Sequence, residues 1–297
     1  MRPTSQAHQL RQLLERHTLL ITPGVFDGFS ARIAERAGAA LVYASGGAIA
    51  RSMGYPDLGL LSMTEMRDRI AQICAATTVP VIADADTGYG NVRNVIRTVR
   101  EFGQAGVAAL HIEDQVTPKK CGQYAGKELI SPAEMCGKVR AAVDNRPDPE
   151  LVVIARTDAI AVSGLPDALR RAERYAHAGA DVLFIEAPQS REQIEEIAQA
   201  LKGIPLLINM STGGTAPLIR PKELERMGYL IMIAPSDLQR ASQRAMTHAV
   251  ETLLQEGSCG SIDNQLTPLS ERDEIVDTAR WDALAAQYDE DDAQPRW

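Results

Sequence analysis

The sequence predicts a (β/α)8 TIM barrel with a leading helix and a helical extension after it. Three observations carry the prediction. Eight short apolar runs recur along the chain, a helical pattern follows each, and polar or charged residues close the runs at the same end.

The runs are LLITPG (19–24), AALVYASGG (39–47), VPVIADAD (79–86), VAALHIED (107–114), LVVIARTD (151–158), ADVLFIEA (180–187), IPLLINMS (204–211) and YLIMIAPS (229–236). Each is rich in Val, Ile and Leu and nearly unbroken, which suits a strand buried on both faces. The first helix runs from Asp27 to Gly38, a glycine suited to a C-cap. The second opens on Thr64 as N-cap, and NVRNVIRTVREFGQAG (91–106) makes the third. The fourth starts on the capping-box pattern SPAE at Ser131. Helical patterns at 165–179, 190–203, 220–228 and 236–257 complete the series. No linker divides it, so the barrel and its leading helix are expected over 1–257. Residues 258–297 read as a helical extension whose acidic end, YDEDDAQPRW, is expected to be solvated. A doubly wound open sheet is the competing architecture. It would carry a glycine-rich phosphate turn after its first strand, and TPGVFDG matches GxGxxG poorly.

Composition narrows the function. Of 297 residues 45% are hydrophobic but only 4% aromatic, so one large aliphatic core is expected. The net charge of −8 argues against nucleic acid, which needs a basic face, and against an acidic membrane surface. The four cysteines (Cys74, Cys121, Cys136, Cys259) form no CxxC pair and have no His at metal spacing, so neither zinc nor a disulfide framework is expected. The N-terminus lacks a signal core, and no apolar run approaches ~18 residues. A reduced, cytoplasmic compartment is the expectation.

In such a barrel the chemistry gathers where the strands end. Those ends carry Ser45, Gly46 and Gly47, then Asp84 and Asp86, Glu113 and Asp114, Arg156 and Asp158, Glu186, and Asn209 and Ser211. Charges there are costly unless paired or bound to a cation. Asp84 and Asp86, two residues apart, are expected to face the mouth together. With Glu113 they make an all-oxygen set suited to Mg²⁺ or Mn²⁺ rather than zinc. The same acids could instead cap helices or pair with Arg156. Arg156 reads as a fork for a substrate carboxylate or as an internal partner of Glu186 or Glu113. The glycines after Ser45 offer N–H groups to an anion, or simply pack tightly. His111, in phase with Glu113, reads as a satisfied core histidine.

The blocks YASGG, GYPDLGL, DADTGYGN, HIEDQVTPKKCG and IARTDA, in this order and spacing, resemble the isocitrate lyase/phosphoenolpyruvate mutase superfamily, over about Leu20 to Gln255. Within it the chain is most similar to the short lyases that act on 2-methylisocitrate and 2,3-dimethylmalate. The resemblance implies that Asp84 ligates Mg²⁺ while Asp86, Glu113 and Asp57 hold its waters. Ser45, Gly46 and Gly47 would hold the 2-oxo-acid part of the substrate, with Arg156, Glu186, Asn209 and Ser211 lining the same pocket. A loop carrying Lys119, Cys121, Gly122 and Gln123 would close over it, and Cys121 would protonate the carbanion left by C–C cleavage. Tyr43 would share in proton transfer from the substrate hydroxyl. Lys119 and Lys120 would bring positive charge towards the thiol. The products would be pyruvate (or glyoxylate) and a carboxylic acid. A homotetramer of pairs that exchange their last barrel helix is also implied.

Two departures bear on the substrate. The short lyases usually read KKCGH or KRCGH, whereas Gln123 stands here, and an amide cannot relay a proton as an imidazole does. NMSTGGTAP (209–217) lacks the glutamate found in methylisocitrate lyases, which leans towards a smaller or less acidic second half such as a dialkylmalate. Decarboxylation or hydrolysis of oxaloacetate, and phosphonopyruvate chemistry, are the alternatives within the superfamily. A barrel that binds a metal–dicarboxylate complex without catalysis is the alternative outside it.

Overall fold

The computed structural model describes residues 5–122 and 124–289. Strands β1 (Leu20–Val25), β2 (Val42–Ala44), β3 (Val81–Asp84), β4 (Ala109–Glu113), β5 (Val152–Thr157), β6 (Val182–Ile185), β7 (Leu206–Asn209) and β8 (Tyr229–Ala234) close a parallel barrel in chain order. The helices are α1 (Gln6–Leu14), α2 (Gly28–Arg36), α3 (Gly46–Ser52), α4 (Met63–Ala76), α5 (Val92–Gln104), α6 (Pro132–Asn145), α7 (Ile160–Ser163), α8 (Leu165–His177), α9 (Arg191–Ala200), α10 (Pro221–Met227) and α11 (Asp237–Glu256). After them come a 3₁₀ turn (Gly260–Gln265), α12 (Leu269–Ile275) and α13 (Thr278–Asp289). The described residues divide into two compact units between Arg240 and Ala241. Among them no helix is long and apolar enough to cross a membrane.

Side chains alternate across a strand, and here the alternation builds both the core and the site. Tyr43, Ile82, Ala109, Ile154, Phe184 and Leu207 point inward and form the inner cluster. Their neighbours Ala44, Ala83, Leu110, Val153, Leu183 and Ile208 point outward into the larger cluster beneath the helices. Each inward row, continued by two or four residues, arrives at Ser45, Asp84, His111, Glu113, Arg156, Glu186 or Asn209. The parity that fills the barrel therefore aims its terminal polar groups into one mouth.

Helix α1 closes the opposite end. Its Leu10 joins the inner cluster beside Leu20, Leu41, Ala108 and Leu230 at the strand starts. Arg11 fixes it there, donating to the Glu150 carbonyl at 2.7 Å and pairing with Asp181 at 3.0 Å.

One local expectation is corrected. Helix α4 is capped two residues earlier than Thr64, because Ser62 and Glu65 form a reciprocal capping box. The Ser45-to-Gly47 stretch opens a short helix, α3, with the Ser45 hydroxyl as its N-cap. A further helical turn, α7, lies between β5 and α8.

Candidate active site

The site begins where β3 ends. Asp84 is buried, and its carboxylate accepts from the Gly46 amide at 3.2 Å, the Asp86 amide at 3.0 Å and the Tyr43 hydroxyl at 3.2 Å. The first N–H of α3 is therefore directed at Asp84 rather than left open for an anion. Only glycine fits there, because a Cβ on residue 46 would lie 2.5 Å from Asp84 Oδ2. Asp86 reaches the same mouth by a different route from the one its spacing suggested. The strand has stopped at Asp84, and Asp86 sits in the left-handed region at φ 47°, so a turn rather than strand alternation places it. Tyr43 also meets His111 Nε2 at 2.8 Å. His111 is fully buried, and among the described residues nothing hydrogen-bonds its Nδ1, so there it is only half satisfied.

The stretch from Thr117 to Lys127 lies across the mouth. Lys119 sends its ammonium inward, 2.5 Å from Asp57 Oδ1 and 2.8 Å from Asp86 Oδ1. The second contact is an ion pair outside hydrogen-bond angles, and among the described residues that Asp86 oxygen has no hydrogen-bond donor. The Cys121 amide donates to the Asp57 carbonyl at 3.2 Å. Gly122 packs so closely that a Cβ would lie 2.5 Å from Glu186 Oε1 and 2.7 Å from Arg156 Nη2. Lys120 is exposed and donates to the Gly126 carbonyl at 2.7 Å. Both lysine ammoniums thus have partners of their own, Lys119 among the acids and Lys120 on a loop carbonyl. Gln123 lies outside the described residues.

Arg156, from β5, organises the far wall. It forks onto Asp158 with contacts of 2.9 and 3.0 Å, lies 3.2 Å from Glu113 Oε2 and stacks over Phe184 at 5.1 Å. Glu186 accepts from Asn209 Nδ2 at 3.3 Å, and the Ser211 hydroxyl donates to Asn209 Oδ1 at 3.0 Å. A small cavity opens beside them between Ala187, Gly214, Thr215 and Ala216. Gly47 packs against Asp57, with a Cβ at that position 2.7 Å from Asp57 Oδ2.

Burial sets the protonation of this cluster. It raises Glu113 well above the usual carboxylate range against the pull of Arg156. It raises Asp86 to about 6, with Lys119 opposing and Asp84 adding to the rise. Burial would raise Asp84 too, but His111, Lys119 and Arg156 hold it below its ordinary value. Burial disfavours the Lys119 ammonium, yet Asp86, Asp84, Glu113 and Asp57 keep it firmly charged.

Among the described residues no three His, Cys, Asp or Glu side chains are drawn together as a finished metal cage. Lys119 and Arg156 supply the positive charge instead. The donor chemistry nevertheless fits a hard divalent cation. Asp84, Asp86, Glu113 and Asp57 are all oxygen donors, all buried, and Glu113 Oε1 has no hydrogen-bond donor. A buried carboxylate oxygen in that condition is costly until a cation or donor reaches it.

The family model for phosphoenolpyruvate phosphomutase matches residues 10–254. The chain belongs to the phosphoenolpyruvate mutase family. It is 42% identical to the 2,3-dimethylmalate lyase of Eubacterium barkeri over 91% of this chain and 93% of that protein. It is also 42% identical to the 2-methylisocitrate lyase of Aeropyrum pernix, over 90% of this chain and 86% of that one. A crystal structure of a 2,3-dimethylmalate lyase, a PEP mutase/isocitrate lyase superfamily member, superposes with a TM-score of 0.90 at 38% identity and covers 96% of each chain.

Some residues of this phosphoenolpyruvate mutase family site were not legible as such. Asp57 lies in a turn, YPDLG, and only the family resemblance singled it out. Lys127 carries no motif that singles it out, and only its contacts with Asp158 and the Gly122 carbonyl bring it into the site. Asp114 was noted only as a strand end. It anchors a buried network with Thr157, Tyr175, Arg171 and the Asp158 amide.

Proposed function

We propose that the protein is a Mg²⁺-dependent carbon–carbon lyase. Its substrate would be a substituted 2-hydroxy di- or tricarboxylic acid of the 2,3-dimethylmalate or 2-methylisocitrate type. The observation that carries this reading is the placement of Cys121, held through its amide on Asp57 while the next residue packs on Arg156 and Glu186. Cleavage of a C–C bond leaves a carbanion that an acid must protonate, and a thiol carried on this segment would be suited to that step.

Asp84, Asp86, Glu113 and Asp57 would hold Mg²⁺ (or Mn²⁺). The ion, when bound, supplies Lewis-acid stabilisation of the oxygen charge that develops as the bond breaks. The chain's own groups do the rest. Arg156, kept cationic by Asp158, Glu113 and Glu186 despite its burial, grips a substrate carboxylate and offsets charge as it forms. Tyr43, between Asp84 and His111, is placed to relay the hydroxyl proton. Lys119 ties the loop to the acids and so excludes water from the mouth. The Ser211-to-Ala216 wall is small and uncharged, which favours an alkyl-bearing second half.

The reading includes a homotetramer of helix-swapped pairs. In its support, Met246, Val250, Leu253 and Leu254 are exposed on α11, an apolar row that a second subunit would cover. A reduced, cytoplasmic setting is part of the same reading.

The experiment is a panel of 2-hydroxy and 2-oxo dicarboxylic acids with Mg²⁺. Pyruvate or glyoxylate released from dimethylmalate or methylisocitrate supports the lyase. CO₂ or oxalate from oxaloacetate would favour the decarboxylase or hydrolase alternative. Silence across the panel would favour a binding protein.

A further inference from the structure

We propose that Lys127 is a positioning residue. It fixes the Cys121–Gly122 segment and the Arg156 guanidinium on one shared acceptor, the Asp158 carboxylate. Only the consequence for turnover rests on the lyase reading; the positioning itself stands on geometry.

Lys127 belongs to the stretch across the mouth, yet its side chain is 1% exposed and its partner Asp158 is 0% exposed. The ammonium lies 3.2 Å from Asp158 Oδ1 and donates to the Gly122 carbonyl. The same Oδ1 accepts from Arg156 Nη2 at 3.0 Å, and Oδ2 accepts from Arg156 Nε at 2.9 Å. Asp158 is a fixed point because its own amide donates to Asp114 Oδ1 at 3.0 Å. Asp114 Oδ2 in turn takes donors from Thr157 at 2.8 Å and Tyr175 at 2.7 Å. One rigid acceptor therefore serves a group on β5 and a group on the loop.

Burying an ammonium is costly, and an apolar side chain would cover the same path with no such penalty. What lysine adds is direction: one head satisfies a loop carbonyl and a barrel carboxylate together. The placement has little slack, because Gly122 already touches Glu186 and Arg156 at distances that forbid a Cβ. The segment that presents Cys121 and the guanidinium that faces the substrate are thus set by one strut. Lys127 acts through Gly122 and Asp158, and is a positioning residue for both halves of the reaction.

The test uses the full-length protein. Lys127→Met keeps length and removes the donors, while Lys127→Arg keeps a charged donor. Iodoacetamide labelling, mapped by peptide mass, reads the segment directly. Cys121 is predicted to react at least ~10-fold faster in Lys127→Met and to slow again in Lys127→Arg. Buried Cys136 should stay as slow as in the wild type, and so should half-buried Cys74, because burial pushes the Cys74 thiol up to about 12. An unchanged Cys121 rate, or all three cysteines rising together as a merely loosened fold would show, overturns the proposal. A second measurement needs no variant. In wild-type protein taken through sub-denaturing urea, acetylation of Lys127 and alkylation of Cys121 should rise along one curve; two separate curves overturn it. In turnover, kcat should fall ~100-fold in Lys127→Met when assayed well below that variant's own unfolding midpoint, which the loss of a buried partner lowers. If the wild type cleaves nothing in the panel, the lyase reading fails, and the labelling still decides the role of Lys127.

Discussion

Lys119 Nζ stands 2.5 Å from Asp57 Oδ1, joining the stretch across the mouth to a turn more than sixty residues earlier. Both side chains are buried, so breaking the pair by removing one partner is expected to cost about 3–5 kcal/mol. Lys119→Met should therefore unfold at a lower temperature in EDTA. Added Mg²⁺ should raise its midpoint more than it raises the wild type's, since a cation can then replace the missing ammonium. Equal Mg²⁺ shifts in the two proteins, read by thermal unfolding, would count against this account of the acid cluster.

Gly46 tests the approach of α3 to Asp84. A methyl group there would meet the Asp84 carboxylate at 2.5 Å, and overpacking of this kind costs about 1–3 kcal/mol. Gly46→Ala is expected to lower turnover at least ~100-fold, because the carboxylate must move. Gly137→Ala, on α6 with its nearest neighbour 3.7 Å away, should leave turnover unchanged and gain about 0.5–1 kcal/mol. Similar kinetics for the two variants would contradict the geometry.

Cys121→Ser keeps size and hydrogen bonding but offers a far weaker acid. The expected outcome is a loss of cleavage of about 10²–10⁴-fold, the usual worth of a positioned general acid, with an unchanged unfolding midpoint. Full activity in this variant would remove the thiol from the reaction.

Asp158 carries a pH prediction. Burial would raise its pKa, but Arg156 and Lys127 hold it below the ordinary value of 3.8. In the window just below that value the unfolded chain binds a proton that the folded chain does not, so stability rises with pH there. The contribution is present above the unfolded value and is lost as pH falls through the lowered folded one. Asp158→Asn should flatten the slope of stability against pH below about 4, measured as unfolding midpoints across an acid series. An unaltered slope would mean the pair does not hold the proton off.

The barrel was legible because eight Val-, Ile- and Leu-rich runs can only be buried on both faces. The same alternation carried Asp84, Glu113, Arg156, Glu186 and Asn209 to one mouth. Asp86 arrived by a turn at positive φ, which spacing does not encode. The Ser45 hydroxyl caps α3, a role that its place before two glycines does not by itself announce. Lys119 could not be aimed from sequence, because a long side chain on an irregular segment has no periodicity to orient it. Its contacts with Asp57 and Asp86, and the Lys127 contact with Asp158, depend on how that segment folds back over the barrel.

Cleavage followed by proton delivery leaves a signature that NMR reads in one tube. The protein is mixed with 2,3-dimethylmalate or 2-methylisocitrate and Mg²⁺ in D₂O. The account predicts one equivalent of pyruvate and one of the partner acid, with a single deuteron on the carbon that was cleaved and no reaction in EDTA. Turnover of oxaloacetate alone, or equal rates with and without EDTA, would contradict it.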